Sequence, residues 1–175
     1  MINEMMELEK DVSDWIKTFV SQHNQSLGYE PCPYAQAALD EGKIHWCYVK
    51  HKKDIAVQLY QYATFNKQFW DRIEVIVIGI KPDMITAKEL EQEVDEMNTQ
   101  ELLPRGFIAL PDHPDDKEII NGVEMNQGKW ALILLQSKDK LNLASRKLDR
   151  LGYYDSWSES NKEDVFKGRL ASKVK

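Results

Sequence analysis

"IEVIVIGI", residues 73–80, has apolar side chains at both alternating sets of positions. A strand that reads this way is buried on both faces and must be covered by helices on each side. The flanking segments supply them. Before it, "DIAVQLYQYATFNKQFW" (54–70) begins at Asp54 and carries Ile55, Leu59, Tyr62, Ala63 and Phe69 inward at helical spacing. After it, "TAKELEQEVDEMN" (86–98) opens with Thr86 and Glu89 in capping-box positions and lines up Leu90, Val94 and Met97.

Three further strands lie outward from this centre: "KIHWCYV" (43–49), "GFIAL" (106–110) and "WALILL" (130–135). The last two are separated by the polar loop 111–128, and "DKLNLASRKLDRL" (139–151) reads as a helix from the cap Asp139 to the stop Gly152. From residue 44 the order is strand, helix, strand, helix, strand, strand, helix. Two consecutive crossovers predict a parallel core, and the last pair adds an antiparallel edge. The expected fold class is therefore α/β, with a mixed four-stranded sheet flanked by helices in a thioredoxin-like or, alternatively, ferredoxin-like arrangement.

An N-terminal helical extension precedes this unit. Met5, Leu8, Val12, Trp15, Ile16, Phe19 and Val20 predict an amphipathic helix at about 4–23. Pro33 at a first turn and Gly42 at a C-terminal stop predict a short helix over 33–41, capped by Cys32. Residues 1–160 are read as one globular domain and 161–175 as a basic tail.

Composition narrows the function classes. With 175 residues, 42% of them hydrophobic and 30% charged, the chain reads as a globular domain, and two cysteines make no disulfide framework. "MINEMMELEK" has neither a basic start nor an apolar core, so a cytoplasmic protein with free thiols is expected. The net charge of -6 argues against nucleic-acid binding, and the longest apolar runs are too short to enter a membrane. A phosphate loop, a dinucleotide fingerprint and a nucleophile elbow are all missing, which disfavours ATP hydrolysis, hydride transfer and serine hydrolysis. No cofactor and no oligomeric state follow from the sequence.

Cys32 stands between Pro31 and Pro33 at a predicted helix start, where unpaired N–H groups would stabilise a thiolate. His45 and Cys47 share one face of a strand and offer a metal two ligands, with Cys32 or His113 as further candidates. In "LPDHPDD" (110–116), Asp112, His113, Asp115 and Asp116 lie just beyond a strand end and could bind a cation or form a histidine–carboxylate base. Trp70, Tyr153, Tyr154 and Trp157, with the basic tail, are candidate anchors for a protein partner.

Two resemblances bear on Cys32. "CPYA" (32–35) is similar to the Cys-Pro-Tyr turn of glutaredoxins and omega-class glutathione transferases, although Ala35 at the resolving position excludes a dithiol cycle. The wider pattern of Trp15, Leu27, Gly28 and Cys32-Pro33-Tyr34-Ala35, followed by "GKIHWCYV" and "DHPDD", resembles a bacterial domain-of-unknown-function family. That family carries a Leu-Cys-Pro-Phe-Ala motif and a later His-Pro loop. Of its later Asn-Arg-Ser-Pro-Tyr-Pro stretch only Asn126 has a counterpart. The resemblance implies an architecture and a pairing of Cys32 with His113, and no reaction.

The leading expectation is a small soluble protein of uncharacterised function with one candidate site; if it is an enzyme, the chemistry expected is that of a thiol, with Cys32 as nucleophile, His113 as base and Asp112 orienting the imidazole, while Tyr34, Asp115 and Asn126 contact a substrate. The alternative is a non-catalytic protein-interaction module, and the third reading is a metal-binding protein.

Overall fold

The computed structural model describes residues 2–166. The chain starts with helix α1 (Ile2–Trp15), which continues through a π-helical turn to Val20, and then α2 (Ala35–Asp40) and strand β1 (Ile44–Tyr48). Next come α3 (Ile55–Ala63), α4 (Lys67–Arg72), β2 (Val75–Ile80), α5 (Ala87–Met97) and β3 (Phe107–Asp112). A small hairpin of β4 (Ile119–Ile120) and β5 (Val123–Glu124) leads to β6 (Ala131–Ser137), α6 (Lys138–Arg150) and α7 (Glu159–Phe166). Part of the expected basic tail, 161–166, thus lies in α7, and residues 167–175 lie outside the described residues. No described helix is long and apolar enough to cross a membrane.

The mixed α/β class is correct, and the strand order is β1-β2-β6-β3. β1 and β2 are parallel, and β6 runs antiparallel to both β2 and β3. The expected parallel core with an antiparallel edge is corrected accordingly. β1, β2 and β3 do point the same way, but the antiparallel strand occupies the interior. Burial explains this order: Ala131, Leu132 and Ile133 are all fully buried, so β6 needs cover on both faces and a neighbour on both sides. β3 contains Pro111, which has no N–H to donate and belongs at an edge.

That edge is closed by a side chain. Asn98 donates from Nδ2 to the Ala109 carbonyl at 2.8 Å and accepts from the Ala109 N–H at Oδ1, also at 2.8 Å. Its amide imitates one residue of a neighbouring strand, and together with Pro111 it blunts the row of unpaired groups an edge presents.

Alternation along the strands separates two faces. Ile76, Ile78, Ile80, Ala109, Ile133 and Leu135 pack with α3, α4 and α5, whereas Val77, Ile44, Leu132 and Trp130 pack with α1. The helix expected over 54–70 breaks at Thr64–Asn66, because Asn66 accepts the Phe69 N–H and caps a new helix. The break turns Trp70 inward. Its ring lies 4.6 Å from that of Phe107 and its Nε1 donates to the Tyr62 carbonyl, so Trp70 is a core residue.

The capping box at α5 forms as expected: Thr86 accepts the Glu89 N–H and Glu89 accepts the Thr86 N–H. Lys52 reaches the same carboxylate at 2.6 Å and, as the largest influence, with the cap bonds, holds its pKa down to about 2. A depressed carboxylate stabilises the fold above its unfolded pKa and loses that contribution as pH falls through the folded value. Acid titration of the unfolding midpoint should therefore show a loss between about pH 4.5 and pH 2 that Glu89→Gln removes.

On the opposite face α1 lies so close to β2 that only glycine fits at position 79, where an added Cβ would meet Leu8 Cδ1 at 2.4 Å. Gly79→Ala should cost about 1–3 kcal/mol in urea unfolding by overpacking. The penalty should shrink in a Leu8→Ala background, a coupling that a double-mutant cycle measures.

Candidate functional site

Cys32 is reached through α1. Its backbone N–H donates to the Val20 carbonyl at 2.9 Å, and its side chain packs with the α1 cluster. α2 starts only at Ala35, with Tyr34 as the N-cap residue and no side-chain cap, which corrects the expected helix over 33–41 and the expected role of Cys32 as its cap. The N–H groups of Tyr34 and Ala35 do point at the sulfur and favour the thiolate. Burial outweighs them and pushes the Cys32 thiol up. The sign is opposite to the one a helix start alone implies.

The C-terminal aromatics pack on the loop that leads into Cys32. The Tyr153 hydroxyl donates to the Glu30 carbonyl at 3.1 Å and also to the Pro31 carbonyl. Tyr153 packs on Tyr29 with ring centroids 4.1 Å apart, and Trp157 Nε1 donates to the Tyr29 hydroxyl. Burial, followed by the adjoining Cys32, raises the Tyr153 phenol well above its ordinary range. Tyr153 and Tyr154 are buried and Trp157 is half-buried, and these rings clamp the loop before Cys32. Tyr34 is exposed.

His113 lies elsewhere. It is 3% exposed, its Nε2 is 3.0 Å from the Ile85 carbonyl and its Nδ1 takes the Asp115 N–H at 3.1 Å. A carbonyl needs a donor and an N–H needs an acceptor, so the ring is a neutral imidazole with both nitrogens occupied. Ile85 packs in the cluster on the α5 face, whereas Cys32 packs in the cluster on the α1 face. The structure does not bring Cys32 and His113 together, and His113 holds no free position from which to act as a base.

Asp112 does not orient the imidazole either. It accepts from Asn126 Nδ2 at 2.7 Å and from the Gln127 N–H at 3.0 Å, and burial raises its pKa. Asn126, expected to touch a substrate, organises the loop from its centre. Its Nδ2 also faces the carbonyls of Asp116 and His113 at 2.9 and 3.2 Å, and its Oδ1 accepts the Glu118 N–H at 2.7 Å. The Asp115 carboxylate is solvent-facing and 3.9 Å from His113 Nδ1.

His45 and Cys47 share a face, as the alternation requires. His45 Nε2 lies 3.2 Å from the Tyr62 hydroxyl, and Cys47 Sγ is 3.9 Å from Gln58 Oε1. Burial lowers the His45 pKa and raises the Cys47 thiol. Among the described residues no group of three or more His, Cys, Asp or Glu side chains could hold a metal ion.

The sequence reading missed an open hollow of about 330 Å³ between α4 and the adjoining ends of β3 and β6, lined by Phe65, Trp70, Phe107, Lys67, Arg105 and Lys140 among others. Its cations are engaged: Lys67 with Asp71, Arg105 with Glu101, and Lys140 with the carbonyls of Trp70 and Ile73. No sequence spacing marks it, because its walls come from separate parts of the chain. The chain matches no protein-family model, no curated protein and no solved structure.

Asn126→Ala removes one of the two hydrogen bonds to the Asp112 carboxylate and the side-chain acceptor of the Glu118 N–H, and it should cost about 1–3 kcal/mol in chemical unfolding.

Proposed function

We propose that this chain is a non-catalytic protein-interaction module in which Cys32 is a structural thiol. The observation that carries this reading is the difference between the two edges of the sheet. The β3 edge is closed by Asn98 and Pro111, as described above, whereas the β1 edge is not. Val49 donates its N–H to Gly79, and the Lys43 carbonyl accepts from Glu74, so the odd-numbered residues of this strand address β2. Ile44, Trp46 and Tyr48 therefore direct their N–H and C=O groups outward, and no described residue receives them. Such an edge is a template for a further strand, which is one of the recurring modes of peptide recognition.

The thiol reading lacks its base, because His113 is bonded to Ile85 on the other face, and burial outweighs the N–H groups that would favour the Cys32 thiolate. Alkylation of Cys32 by iodoacetamide as a function of pH, in a Cys47→Ala background, tests the assignment. The apparent pKa should lie above the free-thiol value of about 8.5. A value well below it would return the thiolate mechanism to first place. Tyr153→Phe, which loosens the clamp over the loop, should raise the rate at every pH.

A further inference from the structure

We infer that the occupant of the β1 edge is a second copy of this chain, paired antiparallel about a twofold axis at Trp46; the inference rests on reading that edge as the docking surface. In this register the outward-facing residues meet one another. Trp46 pairs with Trp46 of the other copy, and Ile44 pairs with Tyr48 in both directions. Each of these is a narrow pair that exchanges two hydrogen bonds, so roughly six bonds form and the two sheets become continuous. Trp46 and Tyr48 are half-buried within one copy, and the same pairing sets their rings side by side on the α1 face, where cross-strand aromatic contact adds to the ladder.

The charges at the two ends of the strand choose this occupant over an unrelated segment. Asp40 and Glu41 precede β1 and are exposed, and Lys50 and Lys53 follow it and are also exposed. An antiparallel pair about Trp46 carries the lysines after one copy's strand to the acids before the other's, twice over by symmetry. Within one copy Glu41 is bonded by Lys43 at 2.5 Å and Asp40 accepts from Gln36 Nε2 at 2.8 Å, so the second copy's lysines add to these contacts and do not meet free carboxylates. Lys52 is held by Glu89. Of the other acids near the strand, Asp54 follows Lys53, and Glu4 and Asp83 act on the Tyr48 phenol. A closed, self-complementary contact of this kind is the commonest form of protein assembly. Exposed ion pairs of this sort specify register and orientation more than they add strength, so the assembly should weaken as salt is raised.

The experiment uses the full chain, with mass by light scattering over a concentration series and amide exchange at Trp46 and Tyr48 by NMR. A concentration-dependent dimer in which both amides become protected is the expected result. The double changes Asp40→Lys with Glu41→Lys, and Lys50→Glu with Lys53→Glu, lie on the surface and spare the core. Each should raise the dissociation constant by roughly tenfold. Combined in one chain, they should restore it to within about threefold. A dimer whose Trp46 and Tyr48 amides exchange freely, or a combined variant that stays weak, overturns the pairing. A monomer with free amides overturns the second copy as occupant but leaves the edge open to another partner. A monomer with protected amides means the chain closes the edge itself, and that result sinks the docking surface along with the dimer.

Discussion

The contact between Leu8 and Gly79 is the constraint from which much of this structure follows. A strand residue without a Cβ lets α1 settle onto the sheet more deeply than any other residue would allow, and Leu8 is left with no exposed surface. Trp130 fixes the helix laterally, since its Nε1 donates to Asp11 at 2.9 Å while Lys129 holds the same carboxylate at 2.6 Å. The height and direction of α1 determine where Val20 ends, and the Val20 carbonyl receives the Cys32 N–H. The environment of the cysteine is thus set by a glycine far along the chain. Burial of the sulfur is a consequence of helix packing, and the raised thiol pKa is a consequence of burial.

The loop after β3 follows a different rule. It is rich in groups that look catalytic, yet its buried ones, Asp112 and His113, each find neighbours within the loop or in the segment packed against it. Buried polar groups must be paired, and a loop that carries a buried histidine and a buried carboxylate has few other ways to satisfy them. Asn126 meets most of the demand alone, because one amide offers two donors and an acceptor in a fixed plane. His113 then pins the loop to Ile85, just before the Thr86 cap of α5. The chemistry of these residues is spent on shape.

What could be read from the sequence was whatever depends on near neighbours. The apolar run of β2, the capping box of α5 and the shared face of His45 and Cys47 follow from periodicity, and all three are present. The Asn121-Gly122 turn between Ile120 and Val123, with both residues at positive φ, carried the usual hairpin signal inside what reads as a polar loop. Insertion of β6 between β2 and β3 is a different matter, because strand order is chosen by competition among distant segments for the buried positions. The Asn98 amide that closes β3 has no pattern at all in the sequence. The pKa of Cys32 is hidden for the same reason: the local helix start predicts one sign, and burial against the distant residues of the α1 cluster imposes the other.

The two edges of the sheet face the same hazard and meet it differently. A strand end is usually protected by shortness, by proline, by charge or by cover, and β3 uses proline and a covering amide together. β1 has neither. Its protections are its length of five residues and the lysines that follow it, and these deter an unspecific strand without closing the row of donors and acceptors. Lysine beside an open edge discriminates by charge: it repels a basic segment and admits an acidic one. An edge guarded in that way discriminates among strands where a sealed edge admits none. The candidate catalytic residues lie on the faces and loops, where their polar groups are paired in holding the fold, whereas among the described residues the outward groups of the β1 backbone are left without a neighbouring strand, which no side-chain motif records.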